Sequence, residues 1–284
     1  VFIGNVNGVK IHHCYLDNIY DDGIFLTAHT GYDGKAPGGN IHIYQNLLSR
    51  CLTTFAFGHG HGRQKAIAPG VLQTGAGLWI YRNIFDFSRP VHYSIPTKPD
   101  DPQEITAAGR IAGDHGAPLW EPMRIYHNTV LTRDDQGGRG FYFAGMSGVQ
   151  KGSKRWIFNN MVVQQKGMPG CQIPDPMNDL QMDGNLHWSL SDGTSYTGEF
   201  FSKFHESKAF EESQTAYPGG LMSRDLFEDP KFVRFTGNWR DIYDLRLQKG
   251  SPAIRAGVLL PPEWPDPLQK NDPAKKADLS KPDM

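Results

Sequence analysis

Five stretches decide how the chain is read: Val9-Lys-Ile-His-His-Cys-Tyr-Leu16, Ile41-His-Ile-Tyr-Gln-Asn-Leu-Leu48, Leu78-Trp-Ile-Tyr-Arg-Asn-Ile-Phe85, Met123-Arg-Ile-Tyr-His-Asn-Thr-Val130 and Arg155-Trp-Ile-Phe-Asn-Asn-Met-Val162. A weaker sixth is Leu180-Gln-Met-Asp-Gly-Asn-Leu-His187. Aligned on the asparagine, with Cys14 in its place in the first copy, they recur after 32, 37, 45, 32 and 25 residues. Apolar residues alternate with polar ones before the asparagine, a period of two that belongs to strands. Ile11, Ile43, Ile80, Ile125 and Ile157 fall in one column. A second apolar run follows in Ile24-Phe-Leu26, Phe55-Ala-Phe57 and Phe141-Tyr-Phe143, and Phe2-Ile3 reads as the same run of a preceding copy.

Each copy is therefore strand, asparagine bend, strand and variable loop. One such unit cannot close a core, but stacking units buries the isoleucine column continuously. The asparagine tolerates a left-handed backbone and bonds neighbouring peptides, so its amides can form a ladder. The fold expected is all-β: a right-handed parallel β-helix, a solenoid with long loops on one side and a C-terminal cap and tail. A doubly wound α/β fold would need amphipathic helices between strands, where this chain has Gly-rich segments such as Gly58–Gly77. The blade signature of a propeller is absent.

Composition agrees. Gly 32 and Pro 20 make nearly one residue in five, against a usual ~12%. Aromatic residues at 12% are too many for a disordered chain. Lys+Arg 29 against Asp+Glu 30 leaves a net charge of −1, which argues against nucleic acid as a partner. No apolar run is long enough to span a membrane. Cys14, Cys51 and Cys171 have neither metal nor disulfide-framework spacing and read as buried free thiols. No signal peptide is visible; the start on Val1-Phe2-Ile3 suggests a processed piece of a longer chain, whose missing N-terminal part would be a partner.

We expect residues 1–195 to form the coils with their inserted loops. Residues 196–257 would form a short helix and a closing coil that cap the same domain. Residues 258–284 form a Pro-rich tail, read as a strap along the helix or a contact with a neighbouring chain. The ladder and the closing Asp229-Pro-Lys-Phe232 and Tyr243–Gly257 segments resemble the pectin-lyase-like superfamily of β-helices. That resemblance implies polysaccharide or oligosaccharide as partner and an extracellular, periplasmic or cell-surface location.

Asp21-Asp22-Gly23, followed by Gly58-His59-Gly60, is also similar to the paired motifs of polygalacturonase-type glycoside hydrolases. The resemblance implies catalytic carboxylates at Asp21 and Asp22 and a motif histidine at His59. The family's RIK motif is reduced here to Arg110-Ile-Ala112, and Gly31–Gly39 lengthens the interval between the two motifs.

The residues themselves suggest three loop groups. Asp21 and Asp22 are crowded carboxylates, whose pKa values separate into acid and base, unless Asp-Asp-Gly merely makes a turn; Asp17 is a third nearby carboxylate. Gly58–Lys65 offers His59 as a catalytic group and His61, Arg63 and Lys65 as substrate-binding ones. The excursion from Pro90 to Pro122 offers Asp114 and His115 for catalysis and Arg110, Trp120 and Glu121 for binding a sugar. Loops of successive coils leave the same edge, so the three groups should converge. No metal or other cofactor is expected, His-x-His alone being unspecific, save calcium if the chain is a lyase. His12, His13, His42 and His127 read as surface stacking, Trp79 and Trp156 as packing beneath loops, and Arg82, Arg124 and Arg155 as solvated charges.

The leading functional expectation is a glycoside hydrolase working by carboxylate acid/base catalysis. The alternatives are a polysaccharide lyase that eliminates on a uronic-acid polymer and a non-catalytic glycan-binding or structural module.

Overall fold

The computed structural model describes residues 2–3, 8–27, 40–58, 77–88, 91–92, 104–105, 110–115, 123–132, 155–165, 180–193, 203–238 and 240–266. The fold is an all-β solenoid, a parallel β-helix. One flank of each coil is a four-residue or shorter strand: β2 (Lys10–His12), β4 (Ile41–Tyr44), β6 (Leu78–Tyr81), β11 (Met123–Tyr126), β13 (Arg155–Phe158) and β15 (Leu180–Asp183). These pair in parallel as one six-stranded sheet. The register is Ile11↔Ile43↔Ile80↔Ile125↔Ile157↔Met182. The isoleucine column is therefore a physical stack, and from Ile43 to Met182 its members are buried at 0–1% exposure. Each such burial contributes roughly 1.5–3 kcal/mol.

The second flank begins two residues after the bend, with β3 (Tyr15–Thr27), β5 (Leu47–Gly58), β7 (Ile84–Asp86), β12 (Thr129–Thr132), β14 (Met161–Gln164) and β16 (Leu186–Ser189). Leu16, Leu48, Phe85, Val130, Val162 and His187 share its inward row. The long strands β3 and β5 bend within themselves where Asn18 and Arg50 take φ of 57° and 54°. Beyond that bend β1 (Phe2–Ile3) pairs with Phe25 and Leu26, so Phe2-Ile3 is the second run of a preceding coil.

The amide ladder forms, with one correction to its geometry. The backbone N–H of Asn46 donates to Asn83 Oδ1 (3.1 Å), Asn83 to Asn128 (3.0 Å), Asn128 to Asn160 (3.0 Å) and Asn160 to Asn185 (3.0 Å). Each Nδ2 also donates to the column carbonyl of the preceding coil, from Ile11 to Ile157. The left-handed residue is not the asparagine but the one before it: His13, Gln45, Arg82, His127, Asn159 and Gly184 all have φ between 54° and 69°. The bend turns the ladder residue inward, and the asparagine is there to satisfy buried peptides.

A truncated seventh coil closes the series. Asp225 takes the ladder position, accepting the Asn185 N–H at 2.9 Å, and Leu226 bridges Leu186 in parallel. Met222 bonds Met182 through their backbones at 2.7 Å, and Phe227 stacks on His187. Phe204, Leu221 and Met222 close the end of the core, with helix α1 (Lys208–Ala216) adding Ala209 and Phe210. The antiparallel hairpin of β17 (Phe232–Arg234) and β18 (Asp244–Leu247) does not cover that end. It packs against Leu131 and Val163, on the outward face of the second flank.

The tail segment from Val258 to Asp266 is a strap on the outer face of the first flank. Asn159 bonds Val258 twice, at 2.7 and 2.8 Å. Tyr126 donates to the Pro265 carbonyl at 2.5 Å, and Arg82 forks onto Asp266 at 2.7 and 3.0 Å. The solvated-arginine reading is thus corrected. Arg82 anchors the strap, Arg124 lies between the rings of Trp79 and Trp156 at 4.1 and 4.7 Å, and Arg155 is buried at 1% exposure. Cys51 is buried as expected, its thiol pushed up to about 12 by burial, but Cys14 is exposed; Cys171 lies outside the described residues. Among the described residues no helix is long and apolar enough to cross a membrane.

Candidate functional site

The candidate residues are carried by the far halves of β3 and β5 and by a third strand. The Pro90–Pro122 excursion opens with a short antiparallel pair, β8 (Val91–His92) with β9 (Glu104–Ile105). It returns as β10 (Arg110–His115), parallel to β5. Arg110, Asp114 and His115 therefore stand on a strand, where a loop was expected. A run of Arg-Ile-Ala-Gly-Asp-His has little strand signal of its own. Pairing with the free edge of β5 outweighs local preference, because it satisfies a whole row of peptide groups.

Asp21 and Asp22 are likewise in strand, not in a turn. Their register carries the irregularity: Ile19 faces Cys51 and Asp22 faces Thr53, so β3 spends one residue more than β5 between the two pairs. That is a β-bulge, a feature that re-aims neighbouring residues and concentrates near active sites.

Two cross-strand rows follow. In the first, Asp22, Thr53 and Arg110 are in register. In the second, Thr27, Gly58 and His115 end their strands side by side. The three connections that follow leave from adjacent points of one sheet edge, and His59 is the first residue beyond that edge. With strands ~4.8 Å apart and ~3.3 Å per residue, Asp22 and Asp114 have Cα atoms about 16 Å apart. The register thus brings His115 beside Gly58, and Arg110 into the row of Asp22, but holds Asp22 and Asp114 too far apart for one acid/base pair. His59, His61, Arg63, Lys65, Trp120 and Glu121 lie outside the described residues, as do Phe141–Phe143.

Asp17 sits just before the bend in β3, and Arg50 forks onto it, Nε to Oδ1 at 2.7 Å and Nη2 to Oδ2. Burial alone would raise the Asp17 carboxyl; the Arg50 guanidinium outweighs it and holds the group below its ordinary range. Asp17 is an ionised anchor, unsuited to proton donation. Arg50 and Thr53 were not singled out in the sequence. The signal for Thr53 lay in aligning Ile24-Phe-Leu26 on Phe55-Ala-Phe57, which sets it opposite the carboxylate run; that for Arg50 lay in the register of Leu16 on Leu48, which sets it opposite Asn18, next to Asp17.

The outer face of the first flank carries a second aromatic array. His12, Tyr44, Tyr81 and Tyr126 stack with centroids 4.8–5.0 Å apart and planes within 13°. His42 stacks on Trp79 at 5.7 Å. Stacking of these histidines is as expected, whereas His127 is buried. Because the rings face one another along the axis, their faces are occupied, which argues against a sugar-stacking platform there. No family model, no curated protein and no solved structure matches the chain.

Proposed function

We propose that this chain is a carbohydrate-active member of the pectin-lyase-like group, a glycoside hydrolase that works on a polysaccharide outside the cytoplasm. The observation that carries the reading is the bulge at Asp21-Asp22, in one cross-strand row with Arg110 through Thr53, on the same strands that end flush at Thr27, Gly58 and His115. Glycoside hydrolysis needs one protonated and one ionised carboxyl group across the scissile bond. Crowded carboxylates in general repel, which favours one protonated group as acid and one ionised group. Asp21 and Asp22 take these roles. Arg110, two strands away, orients the sugar, and His115 with His59 holds the polymer further along the sheet.

The test measures new reducing ends on a panel of neutral and acidic polysaccharides. Asp22→Asn should lower turnover at least a hundredfold with little change in KM, and Asp114→Asn by much less. Full turnover in Asp22→Asn on a substrate the parent cleaves would remove the hydrolase assignment.

One observation favours a second reading. Arg110 shares the row of Asp22, and a uronate lyase uses a cation as base with calcium on the carboxylates. Absorbance from unsaturated product ends, abolished by a chelator and by Arg110→Ala, would establish elimination in place of hydrolysis.

A further inference from the structure

We propose that His12, His13 and Cys14, at the bend between β2 and β3, form a surface site for a divalent transition-metal ion of the zinc class. The first reason is a break in the repeat. Coils two to five carry Tyr44, Tyr81, Tyr126 and Phe158 in the column where coil one has His12. Coils two to six carry the ladder asparagine where coil one has Cys14. Cys14 still gives its N–H to Asn46 Oδ1 at 2.9 Å, but it has no amide to continue the ladder. A local rule set aside in one copy, in favour of three consecutive metal-ligating residues, marks a functional position.

The second reason is geometry. His12 Nδ1 and His13 Nδ1 converge to 2.8 Å. Both rings are fixed: His12 lies flat on Tyr44 at 4.8 Å, and His13, held at φ 55°, stands edge-on to it with the two rings at 82°. Two imidazole nitrogens bound to one tetrahedral zinc at about 2.0–2.1 Å each sit about 3.3 Å apart, so the pair opens by about half an ångström to chelate. Both rings and the thiol are exposed. The Cys14 sulfur lies on the His12 carbonyl oxygen at 3.3 Å. Among the described residues no three such side chains, these included, are arranged to hold a metal ion without a change of rotamer. A metal would replace the hydrogen bond between the two imidazole nitrogens, and rotation of the thiol off that carbonyl would supply the third ligand, leaving a fourth position for water or an outside ligand. The site stands at the opposite end of β3 from Thr27 and does not depend on the hydrolase reading.

The experiment titrates the full chain, stripped of metal, with Zn²⁺ by calorimetry and with Co²⁺ by absorbance. Other histidines can bind zinc, so the variants decide. His12→Gln and His13→Gln should each weaken one of the bound ions at least tenfold. Cys14→Ser should remove the thiolate-to-cobalt charge-transfer band. Thermal melts of the apo variants report whether the fold is kept; His13→Gln, on an exposed ring, guards against loss of the His12–Tyr44 stack. Unchanged affinity in the His12→Gln/His13→Gln double variant, or a cobalt spectrum the same with and without Cys14, overturns the proposal.

Discussion

Asn128 shows what a single side chain does in this fold. Its Oδ1 receives the Asn83 N–H and the Asn83 amide, both at 3.0 Å, and its own amide serves Ile80, Tyr126 and Asn160. All of these groups are buried, and an unmet buried polar group costs about 1–3 kcal/mol. Asn128→Ala should destabilise the protein by roughly 3 kcal/mol or more in denaturant unfolding, with no matching loss for an exposed Asn40→Ala. His42 supplies a pH dependence at the same scale. Burial, with Lys10 nearby, pulls its imidazole down to about 4 from 6.5. The unfolded chain takes up that proton from about pH 6.5 downward, and the folded chain does not until about 4. Its contribution is complete above pH 6.5 and is lost as the pH falls toward 4. Unfolding curves of His42→Gln against the parent should converge across that window, the parent being the more acid-sensitive of the two.

At the scale of elements, the strand-bend-strand unit was legible because its signal is redundant: an alternation, an isoleucine and an asparagine recur together four times, and two further copies keep two of the three marks. The seventh coil escaped because all three marks change at once, to Met222, Ser223 and Asp225. The β10 strand escaped because its reason lies on β5 and not in its own residues. For the candidate site, the flush ends of β3 and β5 were legible from the repeat. The separation of Asp22 from Asp114 was not, since it depends on the register of a strand that the local sequence does not announce. The last ladder position can be tested directly. Burial raises the Asp225 carboxyl, opposed by the hydrogen bond from His187 at 2.8 Å. Asp225→Asn keeps an oxygen for the Asn185 N–H and removes the charge. It should be tolerated within about 1 kcal/mol, whereas Asp225→Ala should cost at least 2, since it strands both His187 and Asn185. Equal losses in the two variants would show that the oxygen is not what the ladder needs there.

Across the whole molecule, a solenoid is held together by contacts between neighbours, and each coil knows little of the next but one. The strap alters that. It touches coil five through Asn159, coil four through Tyr126 and coil three through Arg82, and Gly184 lets it pass close to coil six. A side-chain carbon at Gly184 would meet Val258 at 2.7 Å and Asn159 at 2.6 Å. Gly184→Ala should therefore lift the strap, read as faster limited proteolysis near Val258 and a blunter unfolding transition. Asp266→Ala should free only its distal part. Since one segment fastens several storeys, the middle of the stack should open as a block and not layer by layer. Tension applied at the carboxyl end would be spent on peeling that fastening before any ring pair or amide rail is broken.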